Sequence, residues 1–398
     1  MPRESTLTSP ATVTSPRPDS GAQRLVSLDA YRGFIMLTLI SLGFGTVEMA
    51  RAFPDSPWAG IGRQFTHTPW IGGNFWDLIM PAFMFMVGVA MPMSFARRRA
   101  QGDSFQRQFG HAIRRALILI AMGWLLQNPH ALFLNVLAQI GLGYVFVFLL
   151  LDRAPRTQWL AMTGILVGYW GLYALSPAPG GPGYDFASRG ASAADLQPGF
   201  WVHWSKNLNI GADFDRWFVN LFPQDKAFVN HIGSTQTLNF ICSMANMILG
   251  VMTGQMLMRD RPHSAKFRWM LIVGGVCMTV GLAAGATLCP IVKRIWTPSF
   301  ALVSGAWTIW MLAAFYWLVE MRGWRRWTFP LVVLGMNSIA VYLMLLLWPG
   351  WITATLKSHL GAALFTGTYG PIWQRCTIAL ILWFCCYGLY RRKLFLRI

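Results

Sequence analysis

Uncharged apolar runs recur along the chain at lengths that match a bilayer. Five of them, at 78–96, 157–175, 234–258, 269–292 and 295–319, hold 19, 19, 25, 24 and 25 residues, and a helix needs about 20 residues to cross the hydrocarbon core. A further run covers 28–47 with Arg32 at its entrance. The 36 residues from 116 to 151 carry no formal charge, too many for one helix, and Asn128-Pro129-His130 in their middle predicts a turn, so the run is assigned to a hairpin of two. The run at 327–356 is broken near its end by Pro349-Gly350, and a last run at 372–390 has Arg375 in its outer turn. The pattern predicts an all-α integral membrane protein, a polytopic bundle of about ten transmembrane helices. Residues 1–24 are rich in Ser, Thr and Pro, contain Arg3, Arg17 and Arg24 and lack an apolar stretch. They are expected to form a disordered cytoplasmic tail rather than a cleaved signal. Residues 25–398 then form a single transmembrane domain interrupted by a long segment at 176–235.

Composition agrees with this class. Charged residues make up only 12% of the chain and the mean hydropathy is +0.43, against about 25% charged residues in soluble domains. The excess of 33 Lys and Arg over 15 Asp and Glu would suggest nucleic acid in a soluble protein. Here the basic residues flank apolar runs, which sets orientation and argues for no nucleic-acid partner. With both termini inside, 22 basic residues fall in inner segments and 10 in outer ones, Arg32 being counted in the first helix. An N-in, C-in topology follows. It places outside the loop at 48–74, the 176–235 segment with Trp201, His203, Trp204 and Trp217, and the turn at 289–299. The six cysteines form no CxxC pair and no Cys/His cluster, so neither a zinc site, nor any other metal site, nor a disulfide framework is expected.

Ionisable groups at the edges of spans are costly and therefore informative. Asp29 and Arg32 suit an ordinary helix start, an acid in the first turn with Arg three residues on. Asp77 likewise suits a first-turn acid behind an Asn74 N-cap. His67 precedes Asp77 by ten residues, and a carboxylate within reach of one imidazole nitrogen would fix its tautomer and leave the other nitrogen as base or nucleophile. His130, His203 and His231 compete for that role. The densest basic cluster, Arg97, Arg98, Arg99, Arg107, Arg114 and Arg115, suits anchoring to anionic lipid. Alternatively, Arg114, Arg115 and Arg32 meet the phosphates of a cytosolic ligand. No P-loop, dinucleotide-binding glycine motif or nucleophile elbow is present. Aromatics of the long segment offer stacking faces for sugar rings.

Four patches carry a family resemblance: Arg24-Leu-Val-Ser-Leu-Asp-Ala-Tyr-Arg-Gly33; His67-Thr-Pro-Trp70 with Asp77-Leu-Ile-Met-Pro-Ala-Phe-Met-Phe-Met-Val-Gly88; Pro290-Ile-Val-Lys-Arg-Ile-Trp-Thr-Pro-Ser-Phe300; and Gly335-Met-Asn-Ser-Ile-Ala-Val-Tyr342 with Tyr390-Arg-Arg-Lys393. Their order resembles the heparan-α-glucosaminide N-acetyltransferase family of transmembrane acetyltransferases. The resemblance implies a single helical bundle that moves an acetyl group from cytosolic acetyl-CoA to a glucosamine amine on the far side. It gives His67 the catalytic role and Asp77 that of its nearby acid. Two positions depart from the family pattern: Ser41 stands where an Asn is usual after the first helix, and Ala138-Gln139 replaces a Gln-Arg pair. The expected acceptor is an amine or hydroxyl of an extracytoplasmic sugar, a bacterial glycan or glycolipid included. The expected setting is a bacterial inner membrane, with a homodimer left open. The rival reading is a transporter or lipid-handling protein without covalent chemistry, in which Asp77, His67 and Arg32 line a pathway.

Overall fold

A computed structural model describes residues 25–126, 133–223, 226–231 and 233–396. The tail at 1–24 and the turn at Asn128-Pro129-His130 lie outside these residues. The described chain is all helical, with two isolated bridges and no strand. The first apolar run gives α1 (Val26–Ile40), followed by α2 (Thr46–Ala52) and α3 (Pro57–Gln64). The next gives α4 (Ile79–Ala100), then α5 (Phe105–Leu125), α6 (Val136–Phe148) and α7 (Pro155–Ala174). The long segment contributes α8 (Ile210–Val219), and α9 (Asn239–Met258), α10 (His263–Thr287) and α11 (Pro298–Tyr316) follow it. The C-terminal part comprises α12 (Phe329–Met336), α13 (Ser338–Leu347), α14 (Pro349–Leu360) and α15 (Gly370–Arg391).

Among the described residues five segments are long and apolar enough to cross a membrane: Phe75–Ala100, Asn239–Met258, His263–Thr287, Pro298–Met321 and Gly370–Arg391. Two bent pairs raise the number to seven if each is one span. Three of the other expected spans fall short for visible reasons: α5 carries Arg107, Arg114 and Arg115, α6 has only 13 residues, and α7, from the run at 157–175, is diluted by Gly, Trp and Tyr positions. The first expected span is bent by 48° after Ile40. There Gly43 and Gly45 take φ of 69° and 74°, values that glycine adopts without steric cost. The run at 327–356 does begin a new helix at Pro349, as its Pro-Gly pair suggests, but it also bends by 65° at Asn337, where the backbone leaves helical geometry.

The centre of the bundle is α9, 83% buried along its apolar window, whereas the corresponding figure for α15 is 22%. The difference identifies α9 as a core helix and α15 as one with most of its apolar surface uncovered by protein. Helices α4 and α9 approach closely because glycines face each other's backbone. A Cβ on Gly88 would sit 2.0 Å from the Met247 carbonyl oxygen, and one on Gly250 would sit 2.2 Å from that of Phe85. Small residues at such crossings let helices pack where apolar side chains gain nothing over lipid. One apolar cluster surrounds this pair and includes Tyr31, Phe85, Tyr144, Trp204 and Trp296. A second, with Met36, Val333, Val341, Ile378 and Leu382, joins α1, α12, α13 and α15. All six cysteines are free thiols.

Candidate active site

The loop between α3 and α4 is closed on itself. The Gln64 side-chain oxygen accepts from the Phe75 N–H at 3.1 Å, and the Asn74 amide donates to the Thr66 carbonyl at 3.1 Å. These cross-links hold the two stems of the loop together, so the ten-residue spacing becomes a contact. His67 Nδ1 and Asp77 Oδ1 lie 2.7 Å apart. Asp77 Oδ2 accepts from the backbone N–H groups of Thr68 and Asn74, both at 3.1 Å. The bond from Asn74 is one half of a capping box at the start of the Phe75–Leu78 turn that leads into α4. The helix-start reading and the orienting reading of Asp77 therefore describe the same carboxylate, with one oxygen used for each.

The burial of the two partners differs. The Asp77 side chain is 1% exposed and that of His67 41%. A buried carboxylate accepting at Nδ1 fixes the proton there and leaves Nε2 with a lone pair. Among the described residues Nε2 makes no hydrogen bond, and the ring edge faces Trp76 at 6.4 Å between centroids. The arrangement can take a proton from, or attack, a group that enters from the exposed side.

Two further segments close around the loop. Gly72 N–H donates to the Ile291 carbonyl at 2.8 Å, and Ile71 and Gly72 bridge to Val292. Trp70 Nε1 donates to the Trp204 carbonyl at 3.0 Å, and the buried Trp204 ring stacks on Tyr173 of α7. The long segment is held over its described residues by such contacts. Of the competing histidines, His203 packs against Phe200 and Trp204, and His231 Nδ1 accepts from Gly233 N–H at 3.1 Å. Neither has a carboxylate partner among the described residues. His130 lies outside them.

The arginine cluster sits at the other end of α4, about 30 Å from Asp77 at 1.5 Å rise per residue. Arg98 donates to Asp103 and to His111 Nδ1, each at 3.1 Å, and Arg99 pairs with Asp152 at 2.5 Å. Arg114 is exposed. Arg115 lies 5.1 Å over the Tyr144 ring, and its Nε is buried without a hydrogen-bond partner. Arg32 pairs with Asp29 at 3.5 Å on α1. Helix α1 packs mainly on α12 and α11, and α5 on α6, so Arg32 and the Arg114-Arg115 pair are carried by different parts of the bundle. A cleft of about 200 Å³ beside Arg99, Asp152, Gln255 and Arg259 is smaller than the usual ligand pocket of ~300–1,000 Å³. Among the described residues no group of His, Cys, Asp or Glu is arranged to hold a metal ion.

The two positions that depart from the family pattern are both buried. Ser41 Oγ donates to the Thr38 carbonyl at 3.0 Å, which uses its proton within its own helix turn. Gln139 Nε2 donates to the Gln236 carbonyl at 3.4 Å, tying α6 to the segment that precedes α9.

Lys293 was assigned no role from the sequence, although it belongs to the third family-like patch. The structure places it in the turn against the His67 loop, 8% exposed and under the electrostatic influence of Asp77. The signal available was a basic pair, Lys293-Arg294, in a short turn between two apolar runs.

A helical membrane protein with a buried-carboxylate, half-exposed-histidine pair has the groups that acyl transfer requires. Comparison with known proteins points to the same class. The chain is 25% identical over 372 residues to the human (Homo sapiens) heparan-alpha-glucosaminide N-acetyltransferase, covering 80% of this chain and 52% of that protein. It is 24% identical over 375 residues to the mouse (Mus musculus) enzyme of the same name, covering 81% and 53%. No family model matches the chain. It is a distant relative of these N-acetyltransferases and spans about half the length of the curated relatives it matches.

Proposed function

We propose that the protein is a transmembrane acetyltransferase with both termini in the cytosol. It takes the acetyl group of cytosolic acetyl-CoA and passes it to an amine or hydroxyl of a glucosamine-type sugar or glycan on the far side of a bacterial inner membrane. The observation that carries the reading is the 2.7 Å contact between His67 Nδ1 and a buried Asp77 carboxylate. It leaves Nε2 open at the end of α4 opposite the arginine cluster. The names of the two relatives support the reaction class, and the basic asymmetry supports the orientation.

In this reading Asp77 holds the imidazole in one tautomer and stabilises the imidazolium that forms when Nε2 takes a proton. His67 either deprotonates a bound acceptor as it attacks the thioester, or is itself acetylated at Nε2 and passes the group on. Rapid quenching with labelled acetyl-CoA and no acceptor separates the two, since only the second leaves label on the protein. Arg114, Arg115 and Arg32 are assigned to the donor's phosphates, for which Arg gives bidentate contacts.

The test is consumption of labelled acetyl-CoA by the purified protein in detergent with a glucosamine acceptor. Turnover by the wild type and none by His67→Ala supports the reading. A well-folded wild type that neither binds nor consumes acetyl-CoA overturns it.

A further inference from the structure

We propose that Lys293 is a third catalytic residue of this site, an ammonium buried beside the His67–Asp77 pair that stabilises the oxyanion formed when the acyl carbon is attacked. The inference rests on the acetyl-transfer reading above.

The turn between α10 and α11 is fixed from several sides. The Ile291 carbonyl accepts from Gly72 N–H at 2.8 Å, and the Arg294 carbonyl accepts from the Asn239 amide at 2.8 Å. The Ile295 carbonyl accepts from Tyr169 Oη at 3.0 Å, and Trp296 Nε1 donates to Asn246 Oδ1 at 3.0 Å. Within the turn, Thr297 Oγ1 accepts from Val292 N–H at 3.0 Å. Val292, Ile295 and Trp296 are fully buried. The backbone that carries Lys293 is therefore held by the His67 loop, α7 and α9 together, which is the rigidity that a preorganised charge requires.

The side chain on this rigid turn has no evident structural purpose. Burying an ammonium costs several kcal/mol unless it is paired, yet among the described residues Lys293 has no hydrogen bond and no salt bridge. Its electrostatic neighbours are Asp77, of opposite sign, and Arg294, of the same sign. Asp77 feels its charge, but the hydrogen bonds to the carboxylate come from His67, Thr68 and Asn74 and none from Lys293. Burial pushes the Lys293 ammonium down to about 8, so it remains mostly cationic at neutral pH. An apolar residue of similar length would fill the same space without the desolvation cost. A retained cation whose ammonium makes no hydrogen bond or close ion pair among the described residues is suited to an anion that exists only during the reaction.

Acyl transfer produces one. The attacking nitrogen or oxygen forms a bond to the thioester carbon with its lone pair, and the carbonyl π pair moves onto oxygen. When that oxyanion collapses, the C=O bond re-forms and the C–S bond breaks, its pair leaving on the thiol sulfur of the acyl donor. The proton lost by the attacking group passes through His67 Nε2 to that sulfur. The imidazolium of His67 gives its proton up within this cycle, whereas the Lys293 ammonium stays charged through it.

The experiment compares kcat and KM for acetyl-CoA and for a glucosamine acceptor in the full-length wild type, Lys293→Met, Lys293→Arg and His67→Ala, each checked by thermal melting and CoA binding. Lys293→Met is expected to lower kcat roughly 10²-fold, with both KM values and CoA binding little changed. Lys293→Arg is expected to restore a substantial part of that loss. Lys293→Met with wild-type kcat, while His67→Ala is inactive, overturns this proposal and leaves the acetyl-transfer reading standing. A loss confined to the KM of the acceptor also overturns it, making Lys293 a ground-state contact. If Lys293→Met melts at lower temperature and the well-folded Lys293→Arg is no more active, a purely structural role replaces the proposal. A folded wild type without turnover removes both readings together.

Discussion

The two ends of α4 handle charge in opposite ways. At the His67 end, the single carboxylate is buried and every one of its bonds comes from a short closed loop. At the arginine end, the charges lie near the surface and pair with acids that are themselves accessible. Arg99 is 41% exposed and its partner Asp152 66%, and such pairs contribute about 0–1 kcal/mol. Density of charge and precision of charge thus separate along one helix. On the proposed reading the crowded end serves anchoring and flexible contacts to phosphate. The sparse end fixes one imidazole, the geometry that chemistry demands. Between them lies about 30 Å, the thickness of a hydrocarbon core.

The sharpest way to break this contrast is at His67. His67→Ala is expected to lower acetyl transfer by roughly 10³-fold or more while CoA binding stays close to wild type and melting falls modestly, since the half-exposed ring supports no core but the buried Asp77 carboxylate loses one of its three donors;. An active His67→Ala protein would place the chemistry elsewhere. Asp77→Asn is expected to cost less in rate, roughly 10²-fold, but more in stability. It weakens the bonds to Thr68 and Asn74 at the helix start, which is expected to cost about 1–2 kcal/mol. Urea unfolding followed by circular dichroism checks this, and an unchanged midpoint contradicts the dual use of the carboxylate.

At the arginine end the effects should be smaller and of another kind. Replacing Arg114 and Arg115 together by Ala is expected to raise KM for acetyl-CoA about tenfold with kcat changed less, because phosphate contacts remote from the thioester contribute mainly uniform binding. A fall in kcat at constant KM would bring this end into the chemistry and erase the contrast.

An effect on stability alone, with none expected on transfer, lies in α8 of the long segment. Asp215 is buried there and accepts from Thr237 N–H at 3.2 and 3.1 Å, and burial pushes its carboxyl up from 3.8 to about 7. A carboxyl whose folded value is raised favours the fold in its neutral form. The contribution is complete below 3.8 and is lost as pH rises through about 7;. The melting temperature should therefore fall between pH 5 and pH 8, and Asp215→Asn should reduce that fall. A steeper fall in the variant contradicts the assignment.

Much of this contrast is legible in the sequence, and the reason is physical. Uncharged runs matched to hydrocarbon thickness mark α4, α9, α10 and α11, and a run with one arginine marks α15, because each of those spans buries its own backbone hydrogen bonds and carries few charges, whereas the equally uncharged run at 157–175 gives α7, a helix not apolar enough to count as a span;. The His67–Asp77 pair is legible from a histidine ten residues before a helix-start acid. The bends at Gly43–Gly45 and at Asn337 are not, since the hydropathy there is continuous and only backbone dihedrals record them. Nor is the order in the long segment, which depends on Trp204 meeting Trp70 across 134 residues. Lys293 is hidden for the same reason: its neighbour Asp77 is remote in sequence, and the basic pair Lys293-Arg294 in a turn reads as an ordinary flank.

Sealed, oriented membrane vesicles test the central claim most directly, with acetyl-CoA and a glucosamine acceptor supplied on the same or on opposite faces. Acetyl transfer is expected only when acetyl-CoA is on the arginine side and the acceptor on the His67 side. Equal transfer with both substrates confined to one face would contradict a transmembrane reaction and leave an acetyltransferase that works at a single surface.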